Sequence, residues 1–166
     1  ALIEGYALAR RGFSDPPLQL VLTGAPGSDA HLNYLREIAE RYGVSDSVLM
    51  TGGVPHQTIG DLLDNCQSFV FQSTCENCPN SLIEALSAGV PIACSNAGVM
   101  PEIAGDAALY FDPNDTQDIS RALGRISTDS TLRDSLRSKS QAESKKFPTW
   151  DQVGKLTLDS LERAAE

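Results

Sequence analysis

The stretch SFVFQSTCENCPNSLIEALSAGVPIACS, residues 68–95, decides the fold. Ser68–Gln72 is a short run rich in aromatic and β-branched side chains, which predicts a strand. A polar loop covers residues 73–79. From Asn80 to Ala88 the apolar residues recur at helical spacing, and Gly89-Val90-Pro91 closes that helix. Pro91–Ser95 is a second apolar run. A strand, a helix and a strand joined by short connections make one crossover unit of a parallel sheet.

The same alternation extends outward in both directions. Leu18–Thr23 and Ser47–Thr51 precede the stretch as strand candidates, and Ala108–Phe111 follows it. Their continuous apolar character fits strands buried on both faces. Ser28–Tyr42 carries Leu32, Leu35, Ile38, Ala39 and Tyr42 at helical spacing, with Gly43 as its stop. Gln57–Asn65 is a shorter helix with Ile59, Leu62 and Leu63 inward. The sum is an α/β domain: one open parallel sheet flanked by helices.

After Phe111 only helices are expected, over Asp115–Ile126, Ser130–Lys146 and Thr149–Ala165. Thr149 and Gln152 form a capping-box signature, and Phe147-Pro148 breaks the chain ahead of it. Trp150, Val153, Leu156 and Leu161 give the last helix an apolar stripe expected to be buried. The chain thus reads as a single domain over 1–166, with an α/β core at 1–113 and a helical segment at 114–166. Ala1–Arg11 has the stripe Leu2, Ile3, Tyr6 and Ala9 of a docked helix, yet no capping residue and no strand stand before it. A parallel α/β domain ordinarily opens on a strand, so a fragment lacking its first strand is the expectation.

The 166 residues include 22 Asp and Glu against 13 Lys and Arg, a net charge of −9. That balance argues against broad electrostatic binding to nucleic acid or anionic membrane. No apolar run approaches the ~20 residues that span a bilayer, and Ala1–Gly12 carries Glu4 and does not read as a signal peptide. Four cysteines are too few for a secreted disulfide scaffold, which leads to a cytoplasmic expectation. The charge is uneven. Between Tyr42 and Ser120 there is no Lys or Arg, whereas ten acidic residues fall there. An anion held by this region must rest on backbone N–H groups or on cations from elsewhere.

The loop and helix start at Ser73–Leu86 carry the densest chemistry. Open α/β sheets bind ligands outside the carboxyl ends of their strands, and a helix N-terminus there favours phosphate. The backbones of Asn80, Ser81 and Leu82 are the expected donors. Glu76 and Glu84 bracket the site at a spacing of eight. A carboxylate accepts two hydroxyl hydrogen bonds at once, as a vicinal diol on a ribose or hexose offers them. The plainer alternatives are a capping-box partnership of Glu84 with Ser81 and a solvated loop acid at Glu76. Cys75 and Cys78 also match CxxC, which opens a thiol–disulfide reading and, more remotely, a zinc site completed by Cys66, Cys94, His31 or His56. Gly24, Gly52 and Gly53 lie at strand ends on the same sheet edge, where glycine lets a flat base approach; the plainer alternative, preferred for Gly24, is a tight strand–helix turn. His56 starts a helix and is open to a role as a base or to loop packing. Glu102 falls in the first turn of a short helix after Gly98.

Glu76-x7-Glu84, continued through Ala85 to Ser95, resembles the signature of the large family-4 retaining glycosyltransferases. Gly98-x2-Pro101-Glu102-Ile103, Leu22-Thr23-Gly24, Leu49-Met50-Thr51-Gly52 and the terminal Trp150 helix are similar to that family's other motifs. The resemblance implies the C-terminal, Rossmann-like half of a GT-B fold, which holds a nucleotide-sugar donor, while an N-terminal domain holds a glycan or lipid-linked acceptor. It implies that Glu84 accepts the ribose hydroxyls and that Glu76, the catalytic residue, contacts the donor sugar near its ring hydroxyls and orients it for transfer with retention. Asn77, Cys78, Asn80, Ser81 and Leu82 would surround the diphosphate and sugar, and Gly52, Gly53 and Val54 the base. No metal or separate cofactor is implied. Two departures stand out. The family's Arg and Lys for the pyrophosphate precede the helix that begins here, and Asn77-Cys78-Pro79 replaces a frequent Phe-Gly.

The resulting expectation is the donor-binding domain of a retaining hexosyl- or deoxyhexosyltransferase of polysaccharide or glycan biosynthesis. It would be inactive alone, and peripheral to the inner membrane surface only through its other domain. A nucleotide-sugar epimerase or hydrolase of the same fold and a CxxC thiol–disulfide module are the alternatives.

Overall fold

The computed structural model describes residues 1–13 and 18–165. Along them run α1 (Leu2–Ala9), β1 (Leu20–Thr23), α2 (Asp29–Arg41), β2 (Val48–Gly52), α3 (His56–Asn65), β3 (Phe69–Phe71) and α4 (Asn80–Ala88). Then follow β4 (Ile92–Ser95), α5 (Met100–Ala104), β5 (Ala108–Phe111), α6 (Thr116–Thr128), α7 (Ser130–Ser144) and α8 (Trp150–Ala164). Four strands form inside the apolar runs that predict them, β2 extends one residue past its run to Gly52, and every pairing is parallel.

The α/β reading of parallel strands flanked by helices holds. Among the described residues the strands hydrogen-bond in two ladders: β1 pairs with β2, while β3, β4 and β5 form the second in that order. The crossovers set the direction in which each grows. Leu35, Ile38 and Ala39 of α2 share one apolar cluster with Leu20, Leu22, Val48, Met50, Val70 and Ala93. Leu82, Ala85 and Leu86 of α4 and Met100 and Ala104 of α5 share the other, with Phe69, Phe71, Ile92 and Cys94. The helices joining the two strand sets thus lie on opposite faces. Parallel crossovers are right-handed, so the two sets grow in opposite directions from a point of reversal. β1 and β3 are the inner edges at that point and exchange no ladder hydrogen bonds.

Alternation along β4 explains why both faces are apolar: Ile92 and Cys94 point into one cluster and Ala93 into the other, all fully buried. The docked helix expected at the start is present, with Ile3, Tyr6 and Ala9 buried. The Tyr6 hydroxyl donates to the carbonyls of Leu18 (2.6 Å) and Ser47 (3.3 Å), fixing α1 beside β1 and β2. α1 crosses α6 with Gly5 at the contact, where a β-carbon would stand 2.6 Å from Ile119 Cγ2.

α6 and α7 are capped by Asp115 and Asp129, and α7 is tied to the core by the buried Ser140, whose hydroxyl donates to Val90 O at 3.1 Å. The Thr149–Gln152 capping box is formed in both directions. The buried stripe expected on α8 is not observed. Trp150 is 82% exposed, Leu156 and Leu161 are exposed as well, and α8 has no buried residue. Among the described residues, no helix is long and apolar enough to cross a membrane.

Candidate functional site

Open α/β sheets bind ligands in the crevice outside the carboxyl ends of their strands, at a reversal of strand order. At those ends lie the turns after β1 and β2 on one side and the loop after β3 with the start of α4 on the other. The two glycine turns are joined, because the Gly24 N–H donates to the Gly52 carbonyl at 3.0 Å. Both glycines have positive φ, +111° and +68°, and a β-carbon on either would meet nothing within 4 Å. The space beside them is therefore open to a flat group. Thr51 Oγ1 donates to Leu22 O at 3.3 Å and braces the same side. Gly52 and Val54 are half-buried and Gly53 is exposed.

On the other side, Glu76 is half-buried and Asn77, Cys78, Asn80 and Ser81 are exposed. Pro79 is buried and caps α4 without a side-chain hydrogen bond. Sequence reasoning offers the Asn80, Ser81 and Leu82 amides as phosphate donors, and the structure divides them. The Asn80 N–H donates to Cys78 O and the Leu82 N–H to Pro79 O, both at 2.9 Å. Those two close the turn. Ser81 sits between them, and an anion that recruits all three has to loosen this turn. The Leu82 side chain is fully buried beneath the helix, so only its backbone can serve a ligand.

Glu84 lies one turn into α4. It is not a capping-box partner of Ser81, since the cap falls at Pro79. Its Oε1 is instead 3.4 Å from Nε2 of His56, the first residue of α3, with side-chain exposures of 39% and 86%. The loop packing open to His56 in the sequence is thereby corrected: the imidazole stands out from the turn and reaches across to α4. Sequence reasoning missed this partnership. The signal available was that His56 is the one side chain between Tyr42 and Ser120 able to carry a positive charge.

The remaining candidates separate. Cys75 and Cys78 are free, exposed thiols ahead of α4, and the Cys78 thiol donates to Asn80 Oδ1 at 3.7 Å. Cys94 is buried in the core, where desolvation pushes its thiol up to about 12, and burial also raises Cys66. Among the described residues no three His, Cys, Asp or Glu side chains converge as a metal-ligand set. Glu102 is exposed in the first turn of α5.

A family model described as "Glycosyl transferases group 1" matches residues 1–143. The chain is 30% identical over 141 residues to the O-antigen chain mannosyltransferase B of Escherichia coli, covering 85% of the chain and 36% of that protein. It is 30% identical over 165 residues to the serotype-specific mannosyltransferase WbdA of E. coli, covering 98% of the chain and 20% of that protein. Among solved structures, Anabaena Alr3699/HepE in complex with UDP and glucose superposes with a TM-score of 0.83 at 20% identity, covering 97% of the chain and 44% of that protein. Sucrose-phosphate synthase from Thermosynechococcus elongatus gives 0.78 at 23% identity, covering 99% and 43%. The chain thus spans less than half the length of each of these proteins.

Proposed function

The chain belongs to the group 1 glycosyltransferase family, and on that premise we propose that it binds the nucleotide-sugar donor of a retaining hexosyltransferase. The observation that supports this reading is the hydrogen-bonded pair of open glycine turns after β1 and β2, which stands, like the acid-flanked start of α4 after β3, at the carboxyl ends of parallel strands. The glycine turn, Gly52 to Val54, takes the base. Glu84 accepts the ribose hydroxyls through its carboxylate oxygens. The diphosphate lies at the mouth of α4, where the helix dipole favours negative charge and the Asn80, Ser81 and Leu82 amides serve it together once the Cys78–Pro79 turn loosens. Glu76, on the loop, faces the sugar and holds it for transfer with retention at the anomeric carbon.

The electrostatic part of such a transfer is stabilisation of the departing diphosphate. The stretch from Tyr42 to Ser120 supplies no Lys or Arg for it, so fixed side-chain cations have to come from other parts of the enzyme. The acceptor, a glycan or lipid-linked sugar, is placed by another domain, and closure over the donor excludes water. No metal enters this mechanism. Mannosyl donors are the first to test, because the names of the E. coli relatives carry that sugar.

The test uses the full-length gene product with a panel of UDP-, GDP- and ADP-hexoses, with sugar transfer and nucleotide release measured together. E84Q is expected to raise the donor KM about tenfold or more, since hydrogen bonds to a charged acceptor contribute ~1.5–3 kcal/mol. E76Q is expected to lower kcat with little change in KM. Wild-type kinetics for both variants remove the assigned roles, and release of free sugar without transfer points to a hydrolase of the same fold.

A further inference from the structure

We propose that His56 is a positioning residue of the donor site, holding the Glu84 carboxylate by one oxygen so that the other is presented to the nucleotide's ribose. The inference rests on the reading of Glu84 given above and adds a residue to it. Three observations carry it. The His56 imidazole stands 3.4 Å from Glu84 Oε1, linking the first residue of α3 to α4. His56 follows directly on Gly52–Pro55, the turn assigned to the base, and Pro55 at φ −57° delivers the chain into the helix with the imidazole as its first side chain. From Tyr42 to Ser120 no Lys or Arg competes for the carboxylate.

A glutamate on an exposed helix surface samples several rotamers, and a ligand that needs one of them has to freeze the rest. An imidazole standing beside Oε1 favours one of those rotamers in advance. It also leaves Oε2 free to accept from a hydroxyl. The plain competitor is an exposed ion pair of little consequence, which is the usual fate of such pairs. Geometry favours the positioning role, because the pair joins the residue that follows the base-side turn to the ribose-side acid.

The experiment is a double-mutant cycle on the full-length gene product, titrated calorimetrically with UDP, GDP and ADP. The variants are H56A, H56Q, E84A and the double variant H56A/E84A. H56A is expected to weaken the bound nucleotide about three- to tenfold. H56Q, whose amide can donate to Oε1, is expected to recover most of the loss. Replacing His56 in the E84A background is expected to change nothing further, and the thermal midpoints of the His56 variants should match wild type. Three results overturn the inference while leaving the donor site standing: wild-type affinity in H56A with impaired E84A, an undiminished His56 effect in the E84A background, or a loss in H56A that H56Q does not rescue and a lowered midpoint accompanies. Wild-type affinity in E84A, or no nucleotide bound by the wild-type protein, overturns the donor-site reading itself.

Discussion

Replacing Gly5 by Ala tests how closely α1 is seated on α6. The added β-carbon would stand 2.6 Å from Ile119 Cγ2, 2.9 Å from Ile119 Cβ and 3.3 Å from Thr116 O. Carbon atoms rest at about 3.5–4.0 Å, so the two helices must part by about 1 Å or Ile119 must leave its place in the core. Overpacking of this kind costs ~1–3 kcal/mol. Against it stands the helix-propensity gain of Ala over Gly, ~0.8–1.0 kcal/mol. Gly124 provides the control, because it lies within α6 and a β-carbon there meets nothing within 4 Å. The same replacement at Gly124 keeps the propensity gain without the clash. Urea unfolding followed by circular dichroism should therefore place G124A above wild type by ~1 kcal/mol and G5A below G124A by ~1–3 kcal/mol. If the two variants are stabilised equally, the close crossing of α1 and α6 is wrong.

Burial holds the Cys94 thiol and the Tyr110 hydroxyl up to about 12, Tyr110 also through its acidic neighbours, so both favour the folded state while neutral. Their contribution is complete below the unfolded values of about 8.5 and 10 and is lost as pH rises toward 12, so the urea midpoint should fall from about pH 8.5 upward. C94A should flatten that slope; the same slope in wild type and C94A would contradict the assignment. Ser140→Ala leaves the buried Val90 carbonyl without its donor at 3.1 Å and should cost ~1–3 kcal/mol in the same assay, with no loss indicating another partner.

How much of this was legible in the sequence depended on whether the information was local. The apolar runs at Leu18–Thr23, Ser47–Thr51, Ser68–Gln72, Pro91–Ser95 and Ala108–Phe111 each locate their strand, to within one residue for β2, because burial on both faces leaves a continuous signature. Thr149 and Gln152 made their capping box for the same reason: both partners lie within one turn. The division into two ladders was not legible, since which strand edges pair depends on contacts between segments far apart in the chain. Glu84 was found as a site acid, but its partner His56 lies 28 residues away and meets it only across two helices. The use of the Asn80 and Leu82 amides to close the Cys78–Pro79 turn is a detail of backbone geometry that residue types do not encode. The α8 stripe marks the opposite failure. Periodicity says that one face is apolar, and it does not say what covers it.

The most direct test of the donor site is a crystal structure of the full-length gene product with the nucleotide that calorimetry shows to bind. The account predicts ribose hydroxyls within about 3.2 Å of the Glu84 carboxylate, the diphosphate at the mouth of α4 and the base against Gly52–Val54. A nucleotide seated elsewhere, with this crevice vacant at saturation, would contradict it.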